Sequence, residues 1–252
     1  MSGNEAESIA GVKLNAKLGS TFIYDQLAVG VSAKALCRQL LQHPNIQQIK
    51  AQLAHYVHNE KAPACWQLTL DNQHIIEASN VVFCSGVDMH TRFPEFPTHL
   101  VRGQTSLIAA NTLSQRLSKT LRFGSYLCPS QDGKHLLGAT FEHDTLDADL
   151  SVQSHQENLS ALHNALPELF PQVLDAPLGG HTGFRVTTRD RMPIIGAHPQ
   201  ENGLWINTAH GAQGLMTSFV AAQIIADTMM GDAPAMPTSF IKSVSPLRFL
   251  NP

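Results

Sequence analysis

The sequence lacks any apolar run of the roughly 18 residues that a membrane-spanning helix needs. Its first residues also lack the basic-then-apolar order of a secretory signal. The four cysteines, Cys37, Cys65, Cys84 and Cys128, show no C-x-x-C spacing, which favours free thiols over a disulfide. We therefore expect a cytoplasmic protein with reduced cysteines.

An excess of basic charge is also missing. The chain carries 17 Lys and Arg against 20 Asp and Glu, a formal net charge of −3. No overall basic field indicates nucleic-acid binding, so a nucleic-acid substrate would need a local patch. Among 13 histidines the closest pair is His55 and His58, and no acidic residue stands at ligand spacing. We expect no metal site.

Local patterns predict a mixture of helices and strands. Apolar spacing over 31–42 predicts a helix capped by Ser32, and residues 151–170 predict a second helix. Residues 65–78 read as strand, turn and strand, and "NVVFCSG" (80–86) as a buried strand. Asp132-Gly133 is a hairpin signal. The mixture predicts an α+β fold with α/β elements and two subdomains interleaved along the chain.

The stretch "AHGAQGLMTSFVAAQIIADTMMGD" (209–232) joins two glycines to a long apolar helix. From Leu215 to Met230 the helix is apolar on almost every face, which predicts that it is buried. Gly211 and Gly214 allow another group to approach the helix N-terminus, where free N–H groups favour an anion. A tight turn packed against the core is the alternative.

The segment "GFRVTTRDRMPIIG" (183–196) places Arg185 in an apolar strand. Arginine binds carboxylates with two parallel hydrogen bonds, so Arg185 is a candidate clamp for an acidic ligand. Pairing with Asp190 or Glu142 is the structural alternative, and both readings stay open. The run "EHDTLDAD" (142–149) is expected to be a solvated acidic loop.

Taken in order, several segments resemble the flavin-dependent amine oxidases of the D-amino-acid oxidase and glycine oxidase superfamily. Within it, the chain is most similar to the FAD-dependent oxidoreductase half of bacterial bifunctional enzymes of tRNA 5-methylaminomethyl-2-thiouridine biosynthesis. The resemblance covers nearly the whole chain. The segments that carry it are "ESIAGVKLN", "NVVFCSG", "VRGQTSLI", "GSYLCPSQDGKHLLGATFEHDTLDADLSVQSHQENL", "GFRVTTRDRMPIIG" and "AHGAQGLMTSFVAAQIIA".

The resemblance implies a D-amino-acid-oxidase-like fold. Residues 1–98 and 180–252 would form an incomplete FAD-binding subdomain. Residues 99–179, with part of 1–30, would form an antiparallel-sheet subdomain for the substrate. Arg185 and Tyr126 would be catalytic residues. Residues matching cofactor contacts are Leu53, Ser85, Gly86, Gly103, Gln104, Ala209, His210, Gly211, Ala212, Gln213, Gly214 and Leu215, and Arg102 shares the segment of Gly103 and Gln104.

The implied activity is FAD-dependent removal of the carboxymethyl group from 5-carboxymethylaminomethyl-(2-thio)uridine at the tRNA wobble position, with tRNA as the partner. Two alternatives are an oxidase of small amines such as glycine or sarcosine, and a cofactor-less remnant or interaction domain.

Complete enzymes of this type open with strand, G-x-G-x-x-G and helix, and this sequence contains no such spacing. We therefore expect a fragment. The missing loop weighs against FAD binding by this chain alone. The missing unit would also leave a sheet edge uncovered, which favours self-association.

Overall fold

The computed structural model describes residues 1–14, 21–59, 66–143, 145–171 and 177–250. The helices are α1 (Gly3–Ala10), α2 (Ala33–Leu40), α3 (Asp88–Arg92), α4 (Val152–Ala165), α5 (Gly214–Met230) and α6 (Thr238–Val244). The strands are β1 (Leu53–His58), β2 (Trp66–Leu70), β3 (Ile75–Ala78), β4 (Val81–Phe83), β5 (Thr98–Ala109), β6 (Leu121–Arg122), β7 (Tyr126–Leu127), β8 (Lys134–Gly138), β9 (Glu142–His143), β10 (Gly179–Thr188), β11 (Ile194–Ala197) and β12 (Leu204–Thr208).

The chain divides into two compact units, each built from two segments. Unit 1 comprises residues 1–31 and 101–184, and unit 2 comprises residues 32–100 and 185–252. Strands β5 and β10 each run from one unit into the other. The prediction that one part forms a cofactor layer and the other a substrate sheet stays a prediction.

Unit 1 is organised around an antiparallel sheet in the order β10-β5-β8-β7-β6, with β9 also paired to β5. Its core is formed by side chains from α1, α4 and the sheet, among them Ile108, Leu137 and Leu162. The predicted hairpin is confirmed, since Asp132 and Gly133 both have positive φ, 49° and 72°. Gln131 and Lys134 exchange two backbone hydrogen bonds of 2.9 Å across this turn.

Unit 2 contains two three-stranded sheets. One has the order β1-β2-β3 and is antiparallel, which confirms the predicted strand–turn–strand around Asp71-Asn72. The other has the order β11-β12-β4, and β12 runs parallel to β4. Alternate residues of β11 and β12 face opposite sides of the sheet. Ile194 and Ile206 join a cluster that contains the aromatic residues Trp66, Phe83, Phe93 and Phe96, which we call the aromatic cluster. Ile195 and Trp205 pack with α5 and α6.

The prediction that the last long helix is buried is wrong for much of its surface. In α5 only Ala221, Ile224 and Ile225 are buried, and Phe219 is 51 % exposed. The helix is covered on the side that packs on β11, while its opposite apolar side meets solvent. The buried-strand prediction for 80–86 is wrong in part, because β4 lies at the sheet edge and Val82 is exposed.

The helix predicted over 31–42 is confirmed as α2, and the Ser32 hydroxyl accepts a hydrogen bond from the Ala35 amide at 3.3 Å. None of its residues is buried, however. The predicted second helix is confirmed as α4. Cys37, Cys84 and Cys128 are free thiols, whereas Cys65 lies outside the described residues. In the described part of the chain, no helix has both the length and the hydropathy needed to cross a bilayer.

Candidate functional site at the start of helix α5

Two parallel strands of unit 2 end side by side at the candidate site. Strand β4 ends at Phe83 and β12 at Thr208, and the register pairs Phe83 with Ile206. The loop after β4 begins with Cys84, Ser85 and Gly86. The loop after β12 leads through a 3-10 turn, Gly211–Gln213, into α5. The carboxyl ends of adjacent parallel strands form the crevice where open α/β sheets bind ligands.

The backbone of this crevice is shaped by unusual conformations. Gly86 and Gly211 have φ of 58° and 56°, values that glycine adopts at little cost. Ala209 has φ of 60°, which is uncommon for a residue with a side chain and marks a constrained turn. A Cβ on Gly86 would meet no atom within 4 Å, so the chain leaves open space there.

The N-terminus of α5 is not capped by the side chain of its N-cap residue, Gln213. The first amide groups of this 17-residue helix therefore receive no bond from that side chain, and the positive end of the helix dipole lies at the turn. Such an end stabilises negative charge on a bound ligand.

The ring of His210 is held between two elements at this turn. Its Nδ1 lies 2.8 Å from Thr217 Oγ1 in the first turn of α5, and its Nε2 lies 2.8 Å from Asn207 Oδ1 on β12. The Asn207 side chain also bonds to the Cys84 thiol. Burial raises the pKa of this thiol, and the bond from Asn207, which lowers the pKa, only partly offsets the rise. Burial lowers the pKa of His210, which favours the neutral imidazole.

Arg185 lies in β10, two residues before Thr187, which approaches the same turn. Val186 and Thr188 are buried on one face of the strand, so Arg185 and Thr187 occupy the other face and are half-buried. A Cβ built on Gly211 would lie 3.6 Å from Thr187 Oγ1, which places the neighbour of Arg185 against the turn before α5. Asp190 bonds to Arg248 and Glu142 to Arg102, while Arg185 has an interaction of its own within the protein.

The remaining candidates of unit 2 have structural contacts. Leu53 begins β1 and packs against the aromatic cluster. Ser85 Oγ donates to Asp88 Oδ2 at 3.1 Å, close to the start of α3. Ala212, Gln213 and Leu215 are exposed, and Gly214 is half-buried. The structure thus brings Ser85 and Gly86 to the crevice that residues 209–215 line, and their contact with a cofactor stays a prediction.

The candidates of unit 1 lie in its antiparallel sheet. Gly103 and Gln104 are buried in β5, and Tyr126 is half-buried in β7. The Gln104 amide donates to the Ser151 carbonyl, and its Oε1 accepts from the Ser151 amide and from Arg102. This side chain therefore ties β5 to the start of α4. A cofactor contact by Gly103 or Gln104 stays a prediction.

Arg102 is the centre of this buried network. It is 1 % exposed, and its guanidinium contacts Glu142 at 2.7 Å, Ser154 at 3.1 Å and the Asp147 carbonyl at 2.8 Å. Burial raises the pKa of Glu142, but bonds from Thr140 and Ser154 and the charge of Arg102 outweigh it, so the pKa is lowered.

The expected solvated loop is therefore wrong for Glu142, whose carboxylate neutralises a buried arginine. The pair was missed because Arg102 and Glu142 stand directly opposite each other on β5 and β9, a register that sequence spacing does not reveal.

A family model of FAD-dependent oxidoreductases, named DAO, matches residues 6–228. The chain belongs to this family. It is 32 % identical over 251 residues to the tRNA 5-methylaminomethyl-2-thiouridine biosynthesis bifunctional protein MnmC of Chromobacterium violaceum, covering 87 % of this chain and 38 % of the relative. The MnmC protein of Stutzerimonas stutzeri is 30 % identical, with 97 % and 41 % covered. The chain thus spans about two-fifths of the length of these relatives.

Solved structures with the same fold include two oxidases. Glycine oxidase from Geobacillus kaustophilus superposes with a TM-score of 0.63 at 21 % identity, over 75 % of this chain and 51 % of that one. Iminodiacetate oxidase from Chelativorans sp. BNC1 gives 0.63 at 20 % identity, over 80 % and 53 %. The predicted family and the D-amino-acid-oxidase-like α+β fold are confirmed.

The family uses FAD, and the residues present fit one end of that cofactor. The uncapped helix, the glycine turn and the open space at Gly86 suit a flat ring that takes up negative charge. The pyrophosphate of a dinucleotide needs a glycine-rich strand-to-helix loop, and G-x-G-x-x-G occurs nowhere in the sequence. Within the described ranges no cluster of three or more histidine, cysteine or acidic residues could hold a metal ion.

Proposed function

We propose that this chain contributes the substrate-oxidising part of an FAD-dependent oxidoreductase that removes the carboxymethyl group from 5-carboxymethylaminomethyl-(2-thio)uridine at the tRNA wobble position. The observation that carries the proposal is the start of α5, without a side-chain cap, at the carboxyl ends of β4 and β12, with Thr187 of the Arg185 strand against the same turn. The tRNA substrate is proposed because the curated relatives are named for tRNA modification.

Residues 209–215 would hold the ring of FAD, with Ser85 and Gly86 beside it and Leu53 towards the adenine end. Gly103 and Gln104 are part of the same proposal as cofactor contacts. The bound cofactor supplies a two-electron oxidant for a C–N bond. The amide groups at the start of α5 would stabilise the negative charge that reduction brings. His210, neutral and fixed by Asn207 and Thr217, would present an uncharged ring at this turn.

Arg185 would bind the carboxylate of the substrate, an N-substituted glycine, and Tyr126 would line the same site. The neutral amine loses a hydride from its methylene carbon and becomes an iminium ion. Addition of water then breaks the C–N bond and releases the aminomethyl nucleoside and glyoxylate. Arg185 would orient the methylene by holding the carboxylate next to it. No residue is assigned as a base, because the amine enters the reaction already neutral.

Unit 2 would then be the cofactor layer, and the sheet of unit 1 the substrate side. The net charge of −3 offers little general attraction to tRNA, so binding would depend on a local patch or on the further length that the relatives possess. We propose a cytoplasmic location, where tRNA is modified.

The test measures glyoxylate released by the chain with added FAD from two substrates, tRNA bearing 5-carboxymethylaminomethyl-uridine and free sarcosine. The proposal expects release from the tRNA and at least about a 100-fold loss in Arg185→Lys, because a single ammonium cannot form the paired bonds. Arg189→Lys, an exposed arginine, is the control.

Release from sarcosine alone would contradict the tRNA assignment and support a small-amine oxidase. No release from either substrate, with no flavin bound, would support a cofactor-less remnant or interaction domain.

A further inference from the structure

The antiparallel sheet of unit 1 turns one of its faces away from the core. Leu137 of β8 is fully buried in that core, which side chains of α4 also enter. Side chains alternate along a strand, and residues directly opposite each other share a face. The register across β5, β8, β7 and β6 therefore carries the other face through Thr105, Gly138, Tyr126 and Arg122. We call this other face the outer face.

The outer face carries positive charge. Lys134 shares it with Gly138, because the two residues are four positions apart on β8, and both Lys134 and Arg122 are exposed. In the described strands of this sheet the one carboxylate belongs to Glu142, which faces inward to a buried arginine. Asp132 lies beyond the strands, in the hairpin turn. In a chain of net charge −3, such a face favours an anionic partner.

An aromatic side chain is held on the same face. The Thr140 amide donates to the Gln104 carbonyl at 3.1 Å, and the Thr140 hydroxyl donates to the Glu142 carboxylate at 2.6 Å. Thr140 and Glu142 are therefore both directed inward. Phe141 stands between them and is turned to the outer face, where it is 58 % exposed. The inward bonds of its two neighbours thus fix an exposed phenyl ring in place.

We propose that the outer face binds single-stranded RNA, with an unstacked base on the ring of Phe141 and phosphates at Arg122 and Lys134. Exposed aromatic rings and cations on one surface are the combination by which proteins bind unpaired nucleic acid, because every base can stack and every phosphate is negative. This inference rests on the proposed function, which supplies the RNA: the nucleotides next to the wobble uridine of tRNA.

The separation of the two cations suits a chain of phosphates better than one small anion. Lys134 lies about 13 Å from Gly138 along β8 at 3.3 Å per residue, and Arg122 lies two strands away, about 10 Å. The backbones of Lys134 and Arg122 are therefore roughly 16 Å apart on a flat sheet. Two such cations can contact different phosphates of one strand, whereas a single carboxylate would engage one of them.

Fluorescence anisotropy of a labelled tRNA anticodon stem-loop, titrated with the full chain in the absence of FAD, tests the proposal. Phe141→Ala should weaken binding by about 5- to 150-fold, the range for loss of one stacked base. Phe141→Trp keeps a ring at this position and should retain binding. Phe219→Ala removes a similarly exposed phenyl ring from unit 2 and should leave the affinity unchanged. Circular dichroism verifies the fold of each variant.

The salt dependence of the same binding reports the phosphate contacts. Arg122→Gln and Lys134→Gln should each reduce the slope of log K against log salt concentration by about 0.7, the value for one phosphate of a single strand. Lys242→Gln removes an exposed cation from α6 in unit 2 and should keep the wild-type slope.

An RNA duplex of the same length separates base stacking from general attraction to phosphate. The proposal expects weaker binding of the duplex, because its bases are already paired and stacked. Equal affinity for duplex and stem-loop, full affinity in Phe141→Ala, or unchanged slopes in both cation variants would overturn it. Binding that behaves as expected without glyoxylate release would count against the proposed oxidation alone. Glyoxylate release from tRNA that none of these variants alters would count against this inference alone.

Discussion

Arg102 in unit 1 and helix α5 in unit 2 differ in how completely the rest of the protein covers them. Arg102 is a charged group that is almost fully buried, and hydrogen bonds from three directions satisfy it. Helix α5 is apolar nearly all round, yet half of its apolar surface meets solvent. Residue type alone would have predicted an exposed arginine and a buried apolar helix. Whether a side chain is buried therefore depends on which elements pack over it as well as on its polarity.

The largest effect should come from breaking the Arg102 network. Arg102→Met leaves the Glu142 carboxylate and Gln104 without their cation, which should lower the free energy of unfolding by about 3–5 kcal/mol. Chemical denaturation measures the loss, and hydrogen exchange should show reduced protection in β9 and at the start of α4. The exposed Arg122→Met should change stability by less than about 0.5 kcal/mol.

A double variant sharpens this test. Adding Glu142→Leu to Arg102→Met removes the unpaired carboxylate and should recover part of the stability, because an apolar pair carries no desolvation cost. If Arg102→Met proved as mild as Arg122→Met, the network would not stabilise unit 1.

The two faces of α5 should respond differently to the same kind of truncation. Ile224→Ala removes a buried side chain and should cost about 2–5 kcal/mol, whereas Phe219→Ala on the exposed face should cost less than about 0.5 kcal/mol. Thermal unfolding makes the comparison. Equal losses would show that the exposed face is covered within one chain.

Each unit contains a histidine whose pKa lies below 6.5. Burial lowers the pKa of both His135 and His210. In His135 a hydrogen bond to the Cys128 carbonyl raises the pKa, but the effect of burial is larger. The unfolded chain therefore binds protons first as the pH falls. Stability should be complete above pH 6.5 and decrease below it, by at most about 1.4 kcal/mol per pH unit for each group. Denaturation between pH 7.5 and 5.5 measures the slope.

Variants assign that slope to its sources. Burial also lowers the pKa of His155 in unit 1, so His135→Gln and His155→Gln together should remove the share of unit 1. His210→Gln should remove that of unit 2, while the exposed His74→Gln should leave the slope unchanged. A slope that survives in the triple variant His135→Gln/His155→Gln/His210→Gln would contradict the assignment.

The smallest effect compares two helix caps. The Ser151 hydroxyl accepts from the Ser154 amide at 3.3 Å in α4, and Ser32 caps α2 in the same way. Ser151→Ala should cost about 1 kcal/mol, because α4 packs into the core of unit 1. Ser32→Ala should alter exchange within α2 alone, since that helix buries no residue. A global loss in Ser32→Ala would indicate that α2 contributes to a core.

Local features of the fold could be predicted from the sequence. The Ser32 cap, the Asp132-Gly133 hairpin and α4 depend on residues within a few positions of one another, and all three are confirmed. The start of α5 was recognised for a similar reason, since its glycines adjoin the helix.

The features that escaped prediction depend on distant segments. The Arg102–Glu142 pair requires the register of two strands, and the approach of Thr187 to Gly211 requires β10 to meet the turn after β12. The exposed side of α5 was missed because an apolar pattern does not tell whether one layer or two will cover a helix.

We propose that the start of α5 holds the ring end of a flavin, although the sequence contains no G-x-G-x-x-G pyrophosphate loop. Titration of the chain with FAD, followed by flavin fluorescence, tests it in the presence of two competitors. We expect saturable FAD binding that riboflavin displaces and ADP does not. Gly211→Val should weaken this binding, because the valine side chain would fill the turn. Displacement by ADP but not riboflavin, or no FAD binding at millimolar concentration, would contradict it.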